Sequence, residues 1–149
     1  WVVDGLTDAA AYAASSGVTL VYENHTIGYG WRFVDFSQPA AIFLEIVAET
    51  AGSGLGILFD TANCYAAGDD GLAVLRRVAE RVVYLHASDI RRTGYYEPVT
   101  LGSGIVPLDT LFDEAKQRGY AGWISLEEAS KQDEAGFAPA IAAVRRLWG

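Results

Sequence analysis

Leu55-Gly-Ile-Leu-Phe-Asp60 decides the fold: five residues without a polar side chain end abruptly in a carboxylate. A run that does not alternate apolar with polar reads as a strand covered on both faces, the habit of parallel sheets. Gly52-Ser-Gly54 stands just before it and reads as the stop of a preceding helix. The same construction recurs on either side. Val18-Thr-Leu-Val-Tyr22 closes with Glu23, Val82-Val-Tyr-Leu85 with His86, and Trp123-Ile-Ser-Leu126 with Glu127. Four short strands, 18–23, 55–60, 82–87 and 122–127, therefore each deliver one polar side chain to a common rim.

Helical patterns fill the gaps between them. Residues 8–15 read as the end of a helix stopped by Gly17. Residues 39–50 carry Leu44, Val47 and Ala48 on one face. Further helices are expected near 70–80, 108–118 (stopped by Gly119) and 137–147, and a long polar loop spans 88–106. Strands alternating with helices imply βαβ crossovers and an α/β fold with a parallel sheet. With no linker or low-complexity tract, residues 1–149 form one domain. Four βα units are half of an eight-fold barrel, in which function sits at the C-terminal strand ends. A flavodoxin-like open sheet also binds ligands there, but needs a Gly-rich phosphate turn after its first strand. Asn24-His-Thr-Ile-Gly-Tyr-Gly30 does not supply one. Gly102-Ser-Gly104 precedes Ile-Val-Pro and reads as a plain turn.

Bulk composition narrows the classes. A hydrophobic content of 51% is enough for a sizeable core, and a net charge of −8 speaks against a phosphate-backbone partner. A single cysteine, Cys64, allows no internal disulfide and fits a reducing, cytoplasmic setting. No apolar stretch is long enough to span a membrane, and the N-terminus lacks signal-peptide character. The absence of any methionine suggests a chain cut from a longer reading frame.

Three carboxylates and an imidazole on one rim make a hard, oxygen-rich site for a divalent ion with acid–base capacity. Taken singly, each of the four also reads as a polar cap on a buried strand. In order, Tyr22-Glu-Asn-His25, Phe59-Asp-Thr-Ala-Asn63, Leu85-His-Ala-Ser-Asp89, Leu101-Gly-Ser-Gly104 and Gly119-Tyr-Ala-Gly-Trp-Ile-Ser-Leu-Glu127 resemble the sugar phosphate isomerase/epimerase superfamily. This is the xylose-isomerase-like barrel group that includes type IV apurinic endonucleases, and the likeness is to its C-terminal half. The resemblance implies that Glu23, Asp60, His86 and Glu127 bind one divalent cation (manganese, magnesium, cobalt or zinc). It also implies that Glu23 and Glu127 move a substrate proton. Which of the two is the base is not set by the sequence.

Smaller expectations attach to four neighbours. Arg92, six residues after His86, matches an arginine that contacts substrate hydroxyls in the epimerase branch, or is a solvated loop residue. Asp89 orients a neighbour or caps a turn, with Ser88 standing where the family's motif has lysine. His25 touches substrate or lies behind the site. Asn63 replaces a histidine of other branches, which weakens any second metal position. Alternation turns Glu128 away from the rim. The aromatics Tyr29, Trp31, Phe33, Tyr65, Tyr95 and Tyr96 wall a pocket or seal a subunit contact.

The expected function is a metal-dependent isomerase or epimerase of a ketose, its phosphate, or a related keto-polyol. A keto-sugar dehydratase or lyase shares the first chemical step. A metal-dependent endonuclease fits poorly with two histidines and an acidic balance. A non-catalytic or partner-completed half-barrel is the remaining class. Because four strands expose two sheet edges, the chain is expected to pair with itself or with a missing N-terminal half.

Overall fold

Strand β2 (Gly56–Asp60) is buried along its whole length and lies between β1 (Val21–Glu23) and β3 (Val82–Ala87); β4 (Trp123–Leu126) pairs with β3. All three pairings are parallel, and the strand order is the chain order, β1-β2-β3-β4. The computed structural model describes residues 1–26 and 32–149. Five longer helices, α1 (Val2–Ser15), α2 (Ala40–Glu49), α4 (Gly71–Val78), α5 (Leu108–Gln117) and α6 (Glu134–Trp148), flank the sheet, with a short α3 (Asn63–Ala67) after β2. Successive helices touch in one row, α1 to α2, α2 to α4, α4 to α5 and α5 to α6. A doubly wound sheet would reverse its strand order and place helices on both faces. A single helix row over sequentially ordered strands is the arc of a (β/α)8 barrel, and the chain has four of its units.

The core lies between that helix row and the convex sheet face. Ile57 and Phe59 from β2 and Leu85 from β3 meet Phe43, Leu75, Leu111 and Phe112 from the helices, each at most 1% exposed. Tyr22 stacks on Phe43 at 5.4 Å, which ties β1 to α2. Arg81 donates to the carbonyl oxygens of Val47 and Leu55 and to Thr50 Oγ1, satisfying the C-terminal end of α2 where it turns into β2. Glu114 of α5 accepts from Arg76 of α4 at 2.8 Å and from Arg118 at 3.0 Å, linking two helices across the outer layer.

The opposite, concave face carries register rows. Glu23, Leu58, Tyr84 and Trp123 are in line, and Asp60, His86 and Ser125 form the next row toward the rim. Trp123 is 78% exposed there, whereas Leu58 and Asp60 on the same face are buried, so the face is open toward the β4 edge among the described residues. Pairing skips Val83 between Ile57 and Leu58. A Cβ on Gly56 would lie 2.6 Å from Val83 Cγ2, so the bulged valine needs that glycine.

Element boundaries differ from expectation at three places. Regular pairing starts at Val21 rather than at residue 18, because Gly17 at φ 71° ends α1 and Val18 N still donates to Ala13 O, while Leu20 O already accepts from Gly56 N. Helix α3 was not expected; the Asp60 carboxylate binds the N–H groups at its start, as described below. Helix α6 starts at Glu134 and takes Pro139 inside its early turns. No helix of the described residues is long and apolar enough to cross a membrane.

Candidate metal centre

Three of the four rim residues converge. His86 Nδ1 lies 3.2 Å from Glu127 Oε1 and 3.5 Å from Glu23 Oε1. One ligand atom from each lies within 4.8 Å of the other two. The convergence follows from position at the strand ends: Glu23, His86 and Glu127 stand in successive register rows at the C-terminal ends of β1, β3 and β4 and lean over one rim. His86 is pushed up to about 10, first by Glu127 and then by Glu23, with burial opposing. Glu127 is held below the usual carboxylate range by His86, with a smaller contribution from His25.

Asp60 stands apart from this trio. Its side chain is fully buried, and Oδ1 accepts from the backbone N–H of Ala62 at 2.9 Å and of Asn63 at 2.8 Å. Ser88 Oγ lies 2.7 Å from Oδ2 and 2.8 Å from Oδ1 and donates to the pair. The carboxylate thus caps the start of α3 in an Asx-type turn, and the converging trio is Glu23, His86 and Glu127. Burial raises Asp60 to about 7, and Glu127 adds to the rise, while Ser88 and the two backbone amides pull the other way.

The expected neighbours divide. Asn63 is buried and its Nδ2 donates to Glu23 Oε1 at 3.4 Å, so it does reach the trio. His25 Nδ1 stands 3.8 Å from Asp35 Oδ2, and Asp35 in turn accepts from the Ser37 N–H and hydroxyl. Arg92 is directed elsewhere: its Nε is 3.4 Å from Glu97, its guanidinium covers the Tyr95 ring at 4.5 Å, and the side chain is exposed. Asp89 also has another occupation. Oδ1 accepts from Ile90 and Val106 N–H and Oδ2 from Gly102 and Gly104 N–H, so one carboxylate gathers the loop 100–106 around itself. The Gly102-Ser-Gly104 turn wraps this internal anion.

Of the aromatic group, Tyr29 and Trp31 lie outside the described residues. Phe33 and Tyr95 are exposed, and Tyr65 packs over Gly71. Tyr96 is the one the trio feels: its phenol is pushed up to about 12, first by burial and then by Asp60, Glu127 and Glu23. Glu128 turns away from the rim as alternation requires, yet it is half-buried. Its Oε1 accepts from Ser130 N at 2.8 Å, and its carboxyl lies against Gly136 in the first turn of α6. Two contributors went unnoticed in the sequence: Ser88, visible only as a departure from a motif, and Asn24, which clasps β2 as detailed below.

Two carboxylates and an imidazole nitrogen suit a divalent cation of borderline hardness. His86 Nδ1 is buried and makes no hydrogen bond of acceptable geometry among the described residues, although two carboxylates face it. A nitrogen and two carboxylate oxygens brought this close are the arrangement that metal-ligating atoms take. The donor set therefore fits such an ion, with Glu23, His86 and Glu127 as the side chains that would hold it.

The family described as "Xylose isomerase-like TIM barrel" matches residues 1–147. An inosose dehydratase of Geobacillus thermodenitrificans is 25% identical over 150 residues, covering 90% of this chain and 47% of that protein. The rhizopine catabolism protein MocC of Rhizobium meliloti is 26% identical over 146 residues, covering 87% and 42%. Among solved structures, a xylose isomerase domain protein from Planctomyces limnophilus superposes with a TM-score of 0.75 at 25% identity, over 97% of this chain and 50% of that one. The IolI protein, solved with a zinc atom, gives 0.80 at 19% identity, over 99% and 55%. The chain thus spans about half the length of the relatives it matches.

Proposed function

Because the chain belongs to the xylose isomerase-like TIM barrel family, we propose that it abstracts a proton from the carbon beside the ketone of a polyhydroxylated substrate, and that it does so as a keto-polyol dehydratase. The observation that carries this reading is the carboxylate–imidazole–carboxylate convergence of Glu23, His86 and Glu127 across β1, β3 and β4. A divalent cation bound there supplies Lewis-acid polarisation of a ketone oxygen. The chain's own groups do the rest. Glu127 is the most exposed of the three, at 42% of its side chain, and accepts the substrate C–H proton. The electron pair left on carbon forms the enolate and then expels a neighbouring hydroxyl, which leaves as water with the proton that Glu127 took up, while Glu23 holds the substrate's hydroxyl side of the site. Asn63 orients Glu23 through its 3.4 Å bond, and Tyr96 lies near enough to the carboxylates for their charge to raise its phenol.

The dehydratase branch is favoured over isomerisation because relatives covering about nine-tenths of the chain carry that name. Epimerisation is the second reading: Glu23 and Glu127 flank one imidazole nitrogen, which suits two carboxylates exchanging one proton. In the working enzyme the concave face is covered by further protein, from the same chain or a second copy. The substrate is a ketose, cyclic keto-polyol or phosphate ester of either. The test incubates manganese-loaded full-length protein with a panel of such ketones in deuterated water. Loss of water by mass supports the dehydratase, and deuterium at the carbon without water loss supports the epimerase. Manganese bound with neither outcome across the panel refutes proton abstraction.

A further inference from the structure

We propose that Asn24 is a positioning residue for the metal centre: its side-chain amide extends the β1–β2 ladder past its last backbone pair and so fixes where Glu23 stands relative to His86 and Glu127. This rests on the metal-centre reading above and adds a residue to it.

The backbone pairing of β1 with β2 ends at Glu23 opposite Leu58. Strand β1 has only three residues and lies at the sheet edge, so the last few ångströms before the rim have no ladder to hold them. Asn24 supplies one. Its Oδ1 accepts from Asp60 N at 2.8 Å and its Nδ2 donates to Asp60 O at 3.0 Å. The amide thus meets both backbone groups of a single residue, as a peptide of a neighbouring strand would. The second Nδ2 hydrogen points to Cys64 Sγ at 3.2 Å. At 4% exposure, Asn24 has little water to exchange these partners for.

The consequence is geometric. Asp60 is pinned by Asn24 on its backbone, while its carboxylate is pinned by Ser88 and by the start of α3. Helix α3 in turn holds Asn63 against Glu23. Glu23 is therefore located twice, through the chain link to Asn24 and through Asn63. Releasing Asn24 frees an edge strand at the end that carries a ligand. A ligand displaced by even a fraction of an ångström weakens a preorganised ion site, and groups of this kind are worth roughly 10- to 100-fold in metal affinity.

The experiment measures manganese affinity of full-length protein by calorimetry, with the visible spectrum of the cobalt-loaded protein as a second readout. Asn24→Ala, and the near-isosteric Asn24→Asp should the alanine variant fold poorly, are compared with Val74→Ala. Val74 is buried under the helix row at 3% exposure and serves as a destabilised control away from the rim. The expected result is a 10- to 100-fold weaker manganese Kd and an altered cobalt spectrum for the Asn24 variants, with both unchanged for Val74→Ala. An Asn24 variant that is as destabilised as the control but binds manganese with the original Kd and cobalt spectrum overturns the proposal. An unsubstituted chain that binds no divalent ion overturns the metal-centre reading, and this proposal with it.

Discussion

A methyl group added at Gly104 would lie 2.6 Å from Asp89 Cγ and closer still to Asp89 Oδ1 and the Ile90 carbonyl oxygen. Elsewhere the same change is mildly favourable: Gly104 has no positive φ, so alanine restricts the unfolded chain and gains about 0.4–1 kcal/mol. Here the overlap decides the sign. Overpacking against backbone costs about 1–3 kcal/mol. The methyl also pushes the Asp89 carboxylate off the Gly102 and Gly104 N–H groups it holds at 3.0 and 2.8 Å, and each bond lost by that buried acceptor costs about 1–3 kcal/mol. The net expectation is a loss of about 3–5 kcal/mol, a large fraction of a domain's roughly 5–15 kcal/mol. Gly5, inside α1 with nothing near its would-be Cβ, is the control, and Gly5→Ala should gain about 0.5–1 kcal/mol. Urea titrations followed by tryptophan fluorescence give both values. Gly104→Ala within about 1 kcal/mol of the unsubstituted protein would refute the idea that loop 100–106 is wrapped around Asp89.

Three further outcomes are expected. In protein stripped of metal, Asp60 is raised to about 7 and His86 to about 10, so each adds stability that is complete below its unfolded pKa and lost as pH rises through the folded one. Unfolding free energy should therefore fall between about pH 4 and 7 through Asp60 and between about pH 6.5 and 10 through His86; Asp60→Asn should flatten the first step and His86→Gln the second in denaturant melts across that range. Metal loading needs deprotonated ligands, so the rise in melting temperature on adding manganese should grow with pH, and a constant rise would contradict the ligand assignment. Phe112, fully buried and edge-on to Trp148 at 5.6 Å, should cost about 3–5 kcal/mol on truncation to alanine, read from the same urea titrations.

The strands and their order were legible in the sequence because a buried parallel strand has an unmistakable form, an apolar run without alternation. The rim followed from the same runs, since whatever ends such a strand must face the barrel mouth. What stayed hidden depends on distances between segments far apart in the chain. Asp60 reads as a ligand like its three companions. Only the nearness of Ala62, Asn63 and Ser88 shows that its carboxylate also binds the start of α3. Arg92 sits at a suggestive spacing from His86, but Glu97 and Tyr95 draw it outward. Asp89 and Gly104 are fifteen residues apart and meet only because the loop returns. Asn24 looks like one more polar loop residue until its amide is placed against Asp60.

The central claim is that Glu23, His86 and Glu127 form a metal centre, and anomalous scattering from crystals of full-length protein soaked with manganese tests it most directly. The account predicts one strong peak within coordination distance of a carboxylate oxygen of Glu23, a carboxylate oxygen of Glu127 and an imidazole nitrogen of His86, lost in Glu127→Ala. A peak on any other set of side chains, or none at saturating manganese, would contradict it.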